Sequence, residues 1–205
     1  MPPITAAAAG RPASPGARGT DRERAECLAA NRGGFSFLVV HGVTWAAAAA
    51  LTVALPVKPA ALIYLFQGII AFPASLVLER LLGYRTLSTK DNSLVELFVL
   101  IAVSQGLALP ASIVVYNLDP LYLPVVFAAT NGGHFLAYSW LYRTRAYIAL
   151  AVVAAFGPFL LLVTVGSEAT FHLAGFLVGA ALLVTAFAVR AGAERRVRPP
   201  MAGGL

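Results

Sequence analysis

Polar side chains interrupt the apolar stretches of this chain, and they are the residues with which it could do chemistry. Asn131, His134 and Tyr138 recur at i, i+3 and i+7, so a single helical face carries an amide, an imidazole and a phenol. His41 stands in an earlier apolar stretch. Imidazoles transfer protons near neutral pH, bind metals or haem, and exchange hydrogen bonds with neighbouring groups. These side chains therefore indicate a polar site within an apolar protein.

The two histidines are predicted to lie at the same depth. His41 comes six residues after Phe35, where its apolar stretch begins, and His134 comes eight residues before Tyr142, where its stretch ends. At 1.5 Å per helical residue, both lie roughly 9 to 12 Å from one boundary of the apolar region. On neighbouring helices they could pair, relay a proton, or each satisfy a polar group of another helix. No metal or other cofactor is predicted, because no third ligand has a suitable spacing.

The polar side chains of different apolar stretches are predicted to converge. Buried amides and imidazoles cost free energy unless they are hydrogen-bonded, so they should face each other and not the lipid. We therefore predict a small polar pocket, and its lining residues are His41, Gln67, Gln105, Asn131, His134 and Tyr138. A purely structural hydrogen-bond network would bring the same residues together, and this alternative stays open.

Glu96 is the acid that an enzyme could use at such a site, because it is predicted to lie within an apolar helix. Ser93 precedes it by three residues, which is the spacing of a capping box and gives Glu96 a local role at the start of its helix. Phosphate-binding loops, zinc-protease histidine pairs, nucleophile elbows and acid-rich diphosphate motifs do not occur in the sequence. A binding role is therefore favoured over catalysis.

The composition is that of a membrane protein. Of the 205 residues, 59% are hydrophobic and 12% are charged, and the mean hydropathy is +0.79, whereas soluble domains carry about 25% charged residues. The net charge of +6 does not indicate a nucleic-acid partner, because the cationic residues form short clusters between apolar stretches and are not interleaved with stacking aromatics. Cys27 is the only cysteine, so the chain has no internal disulfide.

Six apolar stretches of about twenty residues position these side chains, and each is long enough to cross a hydrocarbon core of about 30 Å. They are residues 35–55, 59–82, 94–116, 120–142, 146–165 and 169–189. The predicted fold is an all-α integral membrane bundle of six transmembrane helices within residues 27–190. Residues 1–26, rich in Ala, Pro, Gly and Arg, are predicted to form a disordered tail, although residues 21–31 could fold as a short amphipathic helix. Residues 191–205 are predicted to form a basic tail.

The distribution of Lys and Arg predicts how the bundle lies in the membrane. Fourteen of the 15 lie in the tails or near the loops on the side of the termini, and Lys58 alone lies near a loop on the other side. Positively charged loops stay in the cytoplasm. We therefore predict that both termini are cytoplasmic and that the protein lies in the plasma membrane, with the lipid bilayer as its partner.

The last apolar stretch carries Gly175 and Gly179, which are four residues apart. A Gly-x-x-x-Gly face of this kind lets two helices approach closely. It could join two copies of the chain into a homo-oligomer through the sixth span, or it could pack against another helix of the same bundle. Packing within the bundle is favoured, and both interpretations stay open.

Three segments carry a family resemblance. They are residues 31–35 (Asn-Arg-Gly-Gly-Phe), Ser104-Gln105 followed by Pro110, and residues 133–142. Together they resemble an uncharacterised family of small multi-pass bacterial membrane proteins, a domain of unknown function whose pattern in the fourth span is similar to Gly-Ala-His-Phe-x-Pro-Tyr-x-Trp-Leu-Tyr. This chain departs from that pattern at Gly133 and Ala137. The resemblance implies a multi-pass fold in a bacterial inner membrane, and it implies no activity.

These observations predict a non-enzymatic, multi-pass membrane protein whose polar-lined pocket binds or passes a small solute or a proton. Two alternatives stay open. One is a membrane-embedded enzyme acting on a lipid-like substrate, with His134 as acid or base and Tyr138 or Glu96 assisting. The other is a structural subunit that binds a partner through Gly175 and Gly179.

Overall fold

The protein is helical throughout the part that a computed structural model describes, residues 15–85, 87–90 and 92–197. Eight α-helices and one short 3-10 helix follow one another, and these residues contain no strand. The α-helices are α1 Pro15–Asn31, α2 Phe35–Thr52, α3 Val57–Leu81, α4 Leu94–Gly106, α5 Leu109–Leu118, α6 Leu123–Tyr142, α7 Ala146–Val165 and α8 Ser167–Val197, and the 3-10 helix is Pro120–Tyr122. The all-α prediction is confirmed for the described residues.

The predicted N-terminal tail is helical in its second half. α1 covers residues 15–26, which the composition assigned to a disordered tail, and residues 1–14 lie outside the described part. One face of α1 is buried, and Cys27 and Ala30 pack there against the bundle. Burial of this face offsets the entropy lost when the segment becomes ordered.

The predicted C-terminal tail also begins as helix. α8 continues through residues 191–197, and residues 198–205 lie outside the described part. Ala193 is buried, as is Val189 one turn before it. The buried face of α8 therefore continues beyond the apolar stretch, and this burial stabilises helix in residues 191–197.

Five stretches are long and apolar enough to cross a membrane, and they indicate a membrane protein. They are Phe35–Thr52, Val57–Leu81, Leu94–Leu118, Ala146–Val165 and Ser167–Arg196. They correspond to the first, second, third, fifth and sixth predicted spans. α6, the predicted fourth span, is 20 residues long, but polar residues such as Asn131 and His134 make it less apolar than the others. Length and composition thus identify five of the six predicted spans.

The third predicted span is two helices and not one. α4 ends at Gly106 and α5 begins at Leu109. Between them, the N–H groups of Leu107 and Ala108 bond to carbonyls three residues back, whereas an α-helix uses the fourth. Pro110 follows at once, has no N–H to donate, and disfavours helical backbone in the residue before it. This local chemistry breaks the segment near its middle.

The closest packing in the bundle is between α2 and α8. A Cβ atom added at Gly175 would lie 2.7 Å from the carbonyl oxygen of Trp45, and one at Gly179 would lie 2.7 Å from that of Gly42. Only glycine permits such an approach of two backbones. The Gly175–Gly179 face therefore packs against α2 of the same molecule, as the internal-packing interpretation expects.

The α4–α5 segment lies at the outside of the bundle. Only 6% of its most apolar 18 residues are buried inside the protein, compared with 50% for α2. Its neighbours are α1, α3 and α6. Because this segment packs loosely against α3, a space remains between α3 and α4, and it forms part of a cavity.

Candidate functional site

The polar side chains of α2, α3, α4 and α6 form two hydrogen-bonded pairs inside the bundle. The Thr44 hydroxyl of α2 donates to Oε1 of Gln67 on α3 at 2.5 Å. Nε2 of Gln105 on α4 donates to Oδ1 of Asn131 on α6 at 2.6 Å, and the Asn131 amide donates to the carbonyl of Phe127. Each pair joins neighbouring helices, which is the structural role that buried amides can have.

The two histidines lie in the same interior region. Both side chains are buried. Nε2 of His41 accepts a hydrogen bond from Nε1 of Trp45 at 3.3 Å, which places the proton of the neutral ring on Nδ1. The His134 ring packs against Tyr138, with 4.9 Å between ring centroids.

Several buried nitrogens in this interior region have no hydrogen-bond partner among the described residues. They are Nδ1 of His41, Nε2 of Gln67 and both ring nitrogens of His134. An unpaired buried polar group costs about 1–3 kcal/mol, so such groups in native proteins need an explanation. The interior region therefore has hydrogen-bonding capacity beyond what the two amide pairs use. Within the described part of the chain, no three His, Cys, Asp or Glu residues are grouped as metal ligands would be.

A separate cavity of about 530 Å³ lies between α1, α2, α3, α4, α6 and α7. Its lining residues come from α4, from the starts of α2 and α7 and from the ends of α3 and α6, so it occupies the end of the bundle at which α2 begins and α6 ends. Most of its wall is apolar. The aromatic and aliphatic lining residues are Phe37, Phe72, Leu76, Leu87, Val95, Phe98, Val99, Ala102, Val103 and Phe135.

One polar part of the cavity wall is built around the connection between α1 and α2, and another is formed by Ser75, Glu79 and Arg85 in and after α3. Arg32, Gly33 and Gly34 all have left-handed backbone conformations, which glycine adopts without strain. The hydroxyl of Tyr147 donates to the carbonyl of Gly33 at 2.6 Å. The Asn31 amide donates to the hydroxyl of Tyr142 at 3.0 Å. These bonds hold α1 against the ends of α6 and α7.

Tyr138 belongs to both regions. It lines the cavity, and its ring stands beside His134 and 5.0 Å from that of Phe98. Tyr142 and Tyr147 use their hydroxyls to fasten the α1–α2 connection, whereas the Tyr138 hydroxyl has no hydrogen-bond partner among the described residues. It is thus the group best placed to bond to a molecule in the cavity.

The structure separates the six predicted pocket residues. Tyr138 lines the cavity, and the other five lie in the interior polar region: His41, Gln67, Gln105, Asn131 and His134. Sequence reasoning missed Cys27, Asn31 and Glu79 as lining residues. The signal for Asn31 was present, because the segment Asn-Arg-Gly-Gly-Phe is one of those that carry the family resemblance.

The acid that lines the cavity is Glu79 and not Glu96, the acid singled out from the sequence. Glu96 is exposed and does not line the cavity. The capping-box prediction is wrong, because the Ser93 hydroxyl donates to Glu23 of α1 at 2.9 Å and gives no cap to α4. Oδ1 of Asn92 accepts from the N–H of Leu94 instead. Glu79, at the end of α3, is the carboxylate that reaches the cavity wall.

Cys27 is a buried, neutral thiol in the cavity wall. Burial raises its pKa to about 11, and the nearby carboxylates of Glu26 and Glu23 add to this rise. Since the thiolate is the nucleophile, a thiol of such high pKa is a poor one at neutral pH. Cys27 therefore contributes to packing and gives no reactive centre.

Comparison with known proteins gives a family and no activity. No curated protein and no solved structure matches the chain. One family of unknown function, DUF7010, matches residues 20–191, which include every described element from α2 to α7 and every residue of the cavity wall. The prediction of an uncharacterised family is confirmed. The chain belongs to DUF7010, a family of unknown function.

Proposed function

We propose that this membrane protein binds a small amphiphile in the 530 Å³ cavity without transforming it. The apolar body of the ligand lies between α3 and α4, and its polar end accepts a hydrogen bond from Tyr138. The sequence predicted a small polar pocket, whereas the proposed site is mostly apolar and has a few polar groups. As in the sequence analysis, binding is favoured over catalysis.

The observation that carries the proposal is the make-up of the cavity wall. Its volume lies within the range of about 300–1,000 Å³ that small-molecule sites occupy, and such sites are mostly apolar with a few placed polar groups. Here most of the wall is aromatic or aliphatic and comes largely from α3 and α4. Asn31, Tyr138 and Tyr142 supply polar groups, and Ser75, Glu79 and Arg85 in and after α3 supply others. An amphiphile matches a wall that is mostly apolar with a few polar groups.

The route into the cavity also suits a ligand that is dissolved in the bilayer. Phe72 of α3 and both Val99 and Val103 of α4 line the cavity, yet they are 52–60% exposed. These residues lie in helices that are long and apolar enough to span the membrane. A molecule in the lipid can therefore reach the cavity sideways, between α3 and α4.

Several features weigh against catalysis at this cavity. His41 and His134 do not line it, and neither does Glu96, which is exposed. The Cys27 thiol is neutral at physiological pH. The hydroxyls of Tyr142 and Tyr147 are used in hydrogen bonds to the α1–α2 connection. The Glu79 carboxylate lines the cavity, but the described lining residues include no histidine, and their one thiol, Cys27, is a poor nucleophile.

The proposal includes six membrane crossings with both termini in the cytoplasm. Its support is the predominance of Lys and Arg on the terminal side, with Lys58 alone on the other. α6 would be the sixth crossing, and its polar residues face the interior of the bundle, where Asn131 and His134 are buried. In this orientation the cavity lies in the cytoplasmic half of the plasma membrane.

Photo-cross-linking of the purified full chain with a diazirine-bearing dodecanol tests the proposal. Val99→Trp fills the cavity, and Val114→Trp, at an exposed position of α5 that does not line it, is the matched control. We expect the cross-linked fraction to fall to background in the first variant and to stay unchanged in the second. Equal yields from both would overturn the proposal.

Tyr138→Phe tests the polar contact within the same experiment. Loss of one hydrogen bond is worth about 0.5–1.5 kcal/mol, so we expect the half-saturating concentration of dodecanol to rise roughly two- to tenfold. The control is Tyr122→Phe, since Tyr122 is exposed and remote from the cavity wall. An unchanged affinity in Tyr138→Phe would remove Tyr138 from the site while leaving the apolar part of the proposal standing.

A further inference from the structure

We propose that a second site, on the face where α1, α6 and α8 meet, binds a phosphate group between Arg24, Arg143 and Arg196. The group could belong to an anionic lipid headgroup or to free phosphate, and both present the same oxygens. A cleft of about 220 Å³ lies at this place. The cleft and the larger cavity share Tyr142 and are otherwise lined by different residues.

The cleft has an excess of positive charge. Three arginines and one acid, Asp21, line it. Asp21 accepts from Arg24 and from Arg143, while Arg196 bonds to backbone carbonyls at the end of α6 and to no acid among the described residues. Guanidinium groups offer several N–H donors in a planar fork that matches phosphate oxygens.

The other acids of α1 have partners elsewhere. Glu23 accepts from the Ser93 hydroxyl, and Glu26 forms an ion pair with Arg22 one turn away. Asp21 is therefore the acid of α1 that pairs with the arginines of the cleft. One carboxylate does not neutralise three guanidinium groups, and a bound anion would reduce the remaining positive charge.

Arg24 is held in place before any ligand arrives. Its guanidinium carbon lies 3.7 Å from the centre of the Trp140 ring, and its side chain is 13% exposed. Its Nε has no hydrogen-bond partner among the described residues. A charged group fixed by stacking loses little freedom when it binds an anion, and this favours affinity.

The backbone at Arg143 supports a role for its side chain. Arg143 ends α6 with φ 48° and ψ 48°, which is the left-handed conformation. Glycine is the usual residue at such helix ends, and other residues adopt this conformation at a cost. An arginine here carries that cost while placing a cation in the cleft.

Two tryptophans allow binding to be measured directly. They are Trp45 and Trp140, and Trp140 lies beneath Arg24. The full chain in neutral detergent is titrated with sodium phosphate against sodium chloride at equal ionic strength, and with dioctanoyl phosphatidylglycerol against dioctanoyl phosphatidylcholine. Saturable change in tryptophan emission with phosphate alone identifies a free-phosphate site. Saturation only with phosphatidylglycerol identifies a lipid-headgroup site, and saturation with neither overturns the proposal.

Two variants with opposite expected effects sharpen the test. Arg143→Gly removes one cation and suits the left-handed backbone, so the fold is retained while binding weakens about tenfold, as expected for loss of a charge-assisted contact. Asp21→Asn removes the competing carboxylate, so binding tightens severalfold. Arg145→Gln is the control, because Arg145 is exposed in the same loop and does not line the cleft. Equal affinity in all three variants would overturn the proposal, even if the wild-type chain binds.

Discussion

Two sides of the bundle differ in how closely their helices pack. Where α2 meets α8, Gly42, Gly175 and Gly179 bring the two backbones into contact, and Trp45 is fully buried. Where α3 faces α4, lining residues such as Phe72 and Val99 remain half exposed and a cavity opens between the helices. One side is a scaffold, and the other is available for a ligand.

The difference follows from the residues that each side offers. In a membrane, helices associate through close van der Waals contact and interhelical hydrogen bonds, and both are favoured by small residues. α2 and α8 supply glycine and alanine at their contact, whereas the cavity-facing parts of α3 and α4 supply phenylalanine, leucine and valine. Bulky side chains hold those helices apart.

The largest effect is expected at the α2–α8 contact. Gly175→Leu with Gly179→Leu places side chains where backbone atoms already lie, so we expect a loss of roughly 3 kcal/mol or more, or failure to fold. Thermal unfolding in detergent measures this. Gly133→Leu is the control, since a Cβ there meets nothing within 4 Å. A stable double variant with altered oligomer size would instead show that this face binds another copy.

The docking of α1 is tested by the reactivity of Cys27. With a pKa of about 11, its thiol stays protonated at neutral pH, and the labelling rate should rise as pH increases towards that value. We expect alkylation by iodoacetamide at pH 8 to be roughly a hundredfold slower than for an ordinary thiol of pKa about 8.5. Mass spectrometry follows the rate, with the chain unfolded in denaturant as reference. Equal rates in the two states would mean that α1 does not cover the cavity.

Gly34→Ala should detach the α1–α2 connection. Its φ of +78° is unfavourable for alanine, and the added Cβ would lie 2.9 Å from the Tyr147 hydroxyl. The backbone conformation alone costs about 1–2 kcal/mol, and displacement of Tyr147 adds to this. Gly83→Ala separates the two causes, because Gly83 has φ +69° and open space around it. If both variants lose the same stability by thermal unfolding, the contact with Tyr147 contributes nothing.

The smallest effect is expected from Tyr147→Phe. This change removes the hydrogen bond to the carbonyl of Gly33 and leaves that carbonyl unpaired, so we expect a loss of about 1–2 kcal/mol. Tyr122→Phe, at an exposed position, should change stability by less than about 0.5 kcal/mol. Thermal unfolding of both variants measures this difference in stability. Equal losses would mean that the bond from Tyr147 to Gly33 does not stabilise the docking of α1.

The sequence predicted the parts of this protein that depend on local composition. Apolar length identified five of the six predicted spans as stretches able to cross a membrane, and His41 and His134 are both buried, as expected of polar side chains that avoid lipid. The break between α4 and α5 was not predicted, although Pro110 stands beside it. A proline in a long apolar stretch is compatible with a continuous helix, as Pro73 within α3 shows, so composition alone could not decide.

The cavity could not be predicted, because its wall depends on how the helices are rotated. Asn31 and Tyr142 are 111 residues apart in the chain, yet they share a hydrogen bond. Of the polar residues singled out in the sequence, Tyr138 faces the cavity and His134, one turn away, belongs to the interior region. Helix rotation is set by contacts such as those of Gly42 with Gly179. The Gly-x-x-x-Gly pattern predicts a packing face, but it does not say which helix that face meets.

The most direct test of the proposed function is to map where the diazirine-bearing dodecanol attaches to the full chain. Peptide mass spectrometry gives the modified positions. The account predicts adducts concentrated on α3 and α4 at residues such as Phe72 and Val99, which line the cavity. Adducts spread with equal yield to exposed residues of α8 such as Val184 and Phe187, which do not line it, would contradict the account.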